Sequence, residues 1–395
     1  MPWYTEASPA EEETVGSKHL WLTLGLALAL LVVMIAAAAE LPSSEATLTS
    51  GGSVREISRG SDGNLYVSED RAGKVWVVQP SGEYIAYTVD RSPLDAKPDS
   101  TGSIWWTDGT TTFGRINADG ETQTTWDFGM DHNLWGLAIG ASDIVWMTDW
   151  SSTTGPRLYS FAPQATELCT YTLPGGTYST YIVYQSGALW LGNRFADRIM
   201  RFDPLAAQST WWTIPDNTSW PLGLTVDRQG NVWWADLGLD ALARLAPTTG
   251  EMTRFDLPVE AGTNPQMVEI RGDKVWFTGG SAGTVGLLDS RLAQGQTSTM
   301  ASGSGSWSRT CAELGDGTTA PLVATEAGSL AWTAGSLAPT YEADGWTVYR
   351  LPSGAEPYGL ASVSDYLWVT DPGRDSLHRL SLPVFRVFLP LVSRQ

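Results

Sequence analysis

The chain carries little with which to hold a transition metal: three histidines and two cysteines in 395 residues. Cys169 and Cys311 make neither a disulfide framework nor a zinc cluster. They either pair in an oxidising compartment or stay as separate buried thiols, the simpler reading. Charge is sparse as well, and positive charge sparser: 24 Lys and Arg stand against 43 Asp and Glu, a net −19. A surface of that sign repels phosphates, which argues against a nucleic-acid partner. No H-E-x-x-H pair, paired-cysteine zinc pattern or phosphate-cradling glycine loop occurs. These absences remove most ready-made catalytic centres.

There is one long uncharged run, residues 20–39, long enough to cross a bilayer as a helix. It follows an acidic tail, 1–19, in which Glu6, Glu11, Glu12 and Glu13 face only Lys18. Ala37 to Ala39 offer a signal-cleavage site, while the length suits an uncleaved signal anchor. Either way the rest of the chain is expected to be exported, secreted or held at the cell surface.

What is abundant is tryptophan (20), glycine (41) and proline (22), a mixture of aromatic strands and turns. "GSIWWTD" at 102–108 returns as "DIVWMTD" at 143–149, "NVWWAD" at 231–236 and "YLWVTD" at 366–371. The aligned positions are Tyr66, Trp105, Trp146, Trp190, Trp233, Trp276, Ala331 and Trp368. A spacing of about 43 residues belongs to propellers and solenoids. Each unit holds four short strand phrases, with no helical period, which predicts an all-β propeller of four-stranded blades over 45–383. Eight repeat units can be counted, with seven blades as the alternative. The unit at Ala331 is the weakest, and the loose stretch before it, 301–320, reads also as an insertion in blade six. The last unit needs a fourth strand, either 45–50 from the N-terminus or 384–390 from the apolar tail 384–395. The repeated tryptophans are expected to pack between blades, and the strand-end acids to hold turns.

Laid out this way, "GNVWWADLGLDALARLAPTTGEMTRFDLP" (230–258) resembles a repeat of the virginiamycin B lyase-like β-propellers, relatives of the NHL and SMP-30 type propellers. The resemblance covers about residues 51–383. It implies a metal-assisted elimination at the axial end, with a divalent ion, usually magnesium, and a histidine base in an E-P-H-G phrase. The counterpart here is "EPYGLASVSDYLWVTD" (356–371), with Glu356 and Asp371 in the acid positions and Tyr358 in place of the histidine. Equivalents in other repeats, such as Trp135, Leu222 and Gln266, are not histidine either.

Two functions follow as expectations. The first is a binding propeller at the cell surface, taking a small-molecule or protein ligand at a mouth lined by Trp135, Gln266 and Tyr358. The alternative is a metal-dependent lyase or lactone hydrolase with an altered base, using Glu356 and Tyr358, with magnesium or calcium on Glu356 and Asp371. Membrane contact, on either reading, would run through residues 20–39.

Overall fold

The computed structural model describes residues 40–48, 51–129, 132–151, 157–172, 179–262, 264–322 and 324–382. The apolar run 20–39 and the tail 384–395 lie outside the described residues. Among the described residues no helix is long and apolar enough to cross a membrane.

Of the two blade counts the structure has the alternative, seven, and each blade is a sheet of five strands where four were expected; blades one to seven begin at Val54–Arg59, Asp95–Pro98, Leu134–Ile139, Ser179–Gln185, Pro221–Val226, Pro265–Arg271 and Leu360–Val363. One cause explains both differences. The unit around Ala331 is not a blade. After its third strand, Thr284–Asp289, blade six is interrupted, and the chain travels round the outside of the ring. It lays one short strand on the outer edge of blades five, four, three, two, one, seven and six, in that order. It then returns to supply the fourth strand of blade six, Trp346–Arg350. The stretch that reads as a loose loop is therefore part of a belt, from Gln296–Thr299 to Pro339–Ala343.

The belt is fastened at regular points. Met300, Trp307, Leu322 and Leu330 are buried, with Leu314 and Leu337 partly so. The amides of Met300, Trp307, Leu314, Leu322 and Leu330 donate to Gly250, Ala207, Thr166, Glu121 and Gly82 at 2.6–3.0 Å. Those carbonyls lie in the hairpins between third and fourth strands of blades five to one. Each anchor thus fills an apolar gap while its backbone is satisfied. Cys169, on the fourth strand of blade three, is disulfide-bonded to Cys311 on the belt, so the two thiols are not separate.

The ring closes with N-terminal chain. Leu41–Thr47 is the fourth strand of blade seven, paired with Ser376–Ser381 on one side and the belt strand Thr333–Leu337 on the other. Of the two candidates for that strand, the N-terminal one holds the position.

The repeated "W-x-T-D" phrase has a part for each letter. The tryptophans are buried: Trp105, for example, is wholly buried and meets Phe161 of the next blade edge-on at 5.8 Å. The threonine latches neighbouring blades. Thr370 Oγ1 accepts the Gly359 N–H at 2.7 Å and donates to the Arg55 carbonyl at 2.5 Å, joining blade seven to blade one. Thr278 does the same between the Met267 N–H and the Tyr358 carbonyl, at 3.2 and 2.8 Å. The acid holds loop backbone: Asp236 accepts the Trp220 and Leu239 amides at 2.8 and 3.2 Å.

The latch brings backbones close, and this is where glycine is required. A Cβ on Gly359 would lie 2.7 Å from the Arg55 carbonyl oxygen and 2.8 Å from Thr370 Oγ1. Gly359→Ala is therefore expected to cost about 1–3 kcal/mol through overpacking, read as a lower denaturation midpoint. An unchanged midpoint would mean that the inner strands are not held this tightly.

Candidate functional site at the axial mouth

The inner strands surround the axis, and at five blades they begin with a β-bulge. The register breaks between Val54 and Ile57, Leu134 and Leu137, Ser179 and Ile182, Pro221 and Leu224, and Pro265 and Val268. A bulge re-aims side chains, and here it sets the residues of one axial opening, called the upper mouth. That mouth is a cavity of about 410 Å³ lined by Ser53, Arg55, Asn264, Gln266, Glu356 and Tyr358, among others. Gln266, Glu356 and Tyr358 are thus brought together. Arg55 belongs with them: its guanidinium lies 5.8 Å from the Tyr358 ring centroid, held by Asp70 at 2.8 Å.

Trp135 occupies the equivalent place on blade three and meets Trp150 edge-on at 5.4 Å. On the same face, Arg194 lies over the rings of Trp150, Phe195 and Trp220, at 6.0, 4.9 and 3.0 Å from their centroids. Blades three to five therefore present a partly exposed aromatic shelf, with Phe195 53% exposed, on the face where blades six, seven and one present donors.

Below the mouth the axis is plugged by three side chains from three blades. The Tyr181 hydroxyl, from blade four, hydrogen-bonds both the Tyr358 hydroxyl of blade seven and the Glu56 carboxylate of blade one. Glu56 is 6% exposed and its Oε1 has no hydrogen-bond partner among the described residues. Asp95, on the first strand of blade two, lies near it with Lys97 on its carboxylate at 2.6 Å. Burial first, then the charge of Asp95, push the Glu56 carboxyl up to about 7. Burial and the nearby Glu56 hold both phenols above their ordinary value, so Tyr181 and Tyr358 keep their protons at neutral pH.

Asp371 is placed elsewhere. It is wholly buried, its Oδ1 accepts the Glu356 amide at 2.8 Å, and its Oδ2 bonds His378 Nε2 at 2.9 Å. His132 is occupied in the same way, by Asp149 at 2.8 Å and the Tyr159 hydroxyl at 3.1 Å. Both histidines brace strand-end acids and leave none at the mouth among the described residues. The exposed Glu356 is then the one mouth carboxylate of the expected pair. That donor set does not fit a magnesium or calcium cage, which needs several oxygen ligands around one point. Among the described residues the one His, Cys, Asp or Glu trio close enough to share an ion is Glu167 with Cys169 and Cys311, on the rim, where both sulfurs are in the disulfide. Addition of magnesium, calcium or EDTA is accordingly expected to leave the melting midpoint unchanged. A rise with either ion that vanishes in Glu356→Gln would place a metal at the mouth.

The repeat pattern held a signal for the plug. At the bulge position most blades carry glycine or methionine (Gly136, Gly223, Met267, Gly359), whereas blades one, two and four carry Glu56, Asp95 and Tyr181. A polar side chain where the repeat calls for a small or apolar one marks a position released from the fold's needs.

The model of the virginiamycin B lyase family matches residues 43–304. Among solved structures, selenomethionine-substituted virginiamycin B lyase from Staphylococcus aureus is similar at 18% identity and a TM-score of 0.65, over 87% of this chain and 100% of that one. A catalytically inactive form of the S. aureus enzyme, solved with quinupristin, matches to the same degree. A streptogramin B lyase is similar at 19% identity and a TM-score of 0.66, over 87% of this chain and 98% of that one. At such identities the likeness is one of fold. No curated protein matches the sequence. The family model spans well over half of the chain, from the closing strand through blades one to five and the first three strands of blade six into the belt, and the protein belongs to the virginiamycin B lyase family.

Proposed function

We propose that the protein binds a small ligand at the upper mouth, one that joins an apolar ring to a carbonyl or carboxylate group, and that it does so outside the cytoplasm. The observation that carries this reading is the convergence of donors, Arg55, Gln266 and the protonated Tyr358, on one cavity, with Trp135 and the aromatic shelf on the same face but outside its lining. Cavities on which a few polar groups converge are the common form of a small-molecule site. Export is supported by the apolar run 20–39 and by the Cys169–Cys311 bond, since disulfides persist in oxidising compartments.

Two probes test the reading: phenylacetate, which has the required ring and carboxylate, and quinupristin, the compound bound by the S. aureus relative. Each is titrated while tryptophan emission and the melting midpoint are followed. Binding that weakens at least tenfold in Arg55→Ala and in Gln266→Ala is expected. Binding by neither probe, or binding untouched by both substitutions, would sink the reading.

Opening of an ester ring by elimination or hydrolysis is the second reading. It is favoured by the E-P-x-G phrase kept at Glu356 to Gly359, of which Glu356, Pro357 and Tyr358 line the mouth. Chromatography of the quinupristin incubation separates the two: binding returns the compound intact, and catalysis returns a new product that Glu356→Gln no longer forms.

A further inference from the structure

The plug is a chain of hydroxyls between the mouth and a buried carboxyl, and such a chain has two polarities. In the first, the Tyr358 hydroxyl donates to Tyr181 and the Tyr181 hydroxyl donates to Glu56, which must then be a carboxylate. In the second, Glu56 is protonated and donates to Tyr181, Tyr181 donates to Tyr358, and the Tyr358 proton points into the mouth. Only the second offers a phenol donor to a ligand. A ligand that brings a hydrogen-bond acceptor therefore selects the state in which Glu56 holds a proton.

The surroundings make both states accessible. Glu56 faces Asp95 and Lys97 from blade two, Tyr181 from blade four, Tyr358 from blade seven and Arg55 from its own strand. Glu56 Oε1 is buried without a hydrogen-bond partner among the described residues, and an ionised carboxylate so placed is costly. The Tyr181 hydroxyl and the cations Arg55 and Lys97 favour the charged form, while burial and Asp95 oppose it. The balance leaves the carboxyl poised near neutrality.

We propose that the upper mouth takes its ligand by a carbonyl or carboxylate oxygen set on the Tyr358 hydroxyl, and that this binding draws one proton from solvent onto Glu56. The proposal rests on the mouth being the ligand site. Its balance is simple: Glu56 gains one O–H bond, each phenol keeps one, and no other covalent bond changes.

The relay is tested first in the ligand-free protein. Infrared difference spectra across pH 5 to 9 follow the carboxyl band, which Glu56→Gln must abolish. Tyr181→Phe removes the donor to the charged form and should move that titration upward. A Glu56 band unmoved by Tyr181→Phe, or absent near neutrality, overturns the relay. Phenylacetate is then titrated by calorimetry at pH 8 in two buffers of different ionisation heat. The expected result is uptake of close to one proton, with affinity falling about tenfold per pH unit above the Glu56 midpoint. Glu56→Gln, whose amide donates as the protonated acid does, should bind with no uptake and no pH slope. Binding without uptake in the parent overturns the proposal and leaves the mouth reading standing, whereas no phenylacetate binding at any pH removes both.

Discussion

Excision of residues 294–344, with Ala293 joined to Gly345, is expected to yield a ring that still folds but melts far below the full chain. The two ends already meet: the Asp289 amide donates to the Gly345 carbonyl at 2.7 Å, and the Ala293 amide donates to the Asp289 carbonyl at 3.0 Å. The cut would close an ordinary hairpin between the third and fourth strands of blade six. What is lost is the belt, with the buried side chains of Met300, Trp307, Leu322 and Leu330 and the Cys169–Cys311 bond. Trp307 packs on Phe202 at 4.5 Å and donates from its indole to Ser209 Oγ at 2.7 Å. Trp307→Ala alone should cost about 3–5 kcal/mol, and Cys311→Ser about 2–4 kcal/mol. The excision should lower the midpoint by more than either substitution and leave the outer edges of all seven blades bare, with a tendency to associate edge to edge. A belt-free ring that melts with the parent would show that the belt fastens nothing. If the excised chain fails to express, the two single variants still decide the matter.

The second large effect is a pH dependence of stability that belongs to one residue. The Glu56 carboxyl stands at about 7 against an ordinary 4.5. Between those values the folded protein holds a proton that the unfolded chain has released. Stability therefore falls as pH rises through that window, and the loss is complete above it. A shift of this size is worth about 3 kcal/mol. Chemical unfolding at pH 5 and pH 8 should show the parent losing about 2–3 kcal/mol more than Glu56→Gln loses over the same interval. Equal losses in both would show that the buried carboxyl is not where the proton sits.

Much of this architecture could be read from the sequence because a propeller repeats its needs. The W-x-T-D phrase recurs since every blade must fill the gap to its neighbour, latch a bulge and hold a loop. The closing strand was legible for a related reason: blade seven lacks a fourth strand and the N-terminus has one to give. An insertion in blade six is one of the readings open to the sequence, but its form as a belt was not legible, because its periodicity is of another kind. Its strands have exposed Ser, Thr, Gly and Ala on an outer edge, and that composition reads as loop. The one regular feature is a buried or half-buried apolar residue every seven or eight positions, from Met300 through Trp307, Leu314, Leu322 and Leu330 to Leu337. That spacing is one blade's width of chain, and it is invisible to a search for alternating or helical patterns. At the mouth, motif reading reached Gln266, Glu356 and Tyr358. It passed over Arg55, Glu56 and Tyr181, since these meet across the axis from blades one and four and only the closed ring brings them to Tyr358.

The most direct test of the account is a crystal structure of the protein with phenylacetate. The carboxylate is expected on the Tyr358 hydroxyl within reach of Arg55, with the ring in the cavity lined by Gln266 and Glu356. Phenylacetate seated on the rim or at the opposite axial opening, with the upper mouth free of it, would show that the mouth is not the ligand site.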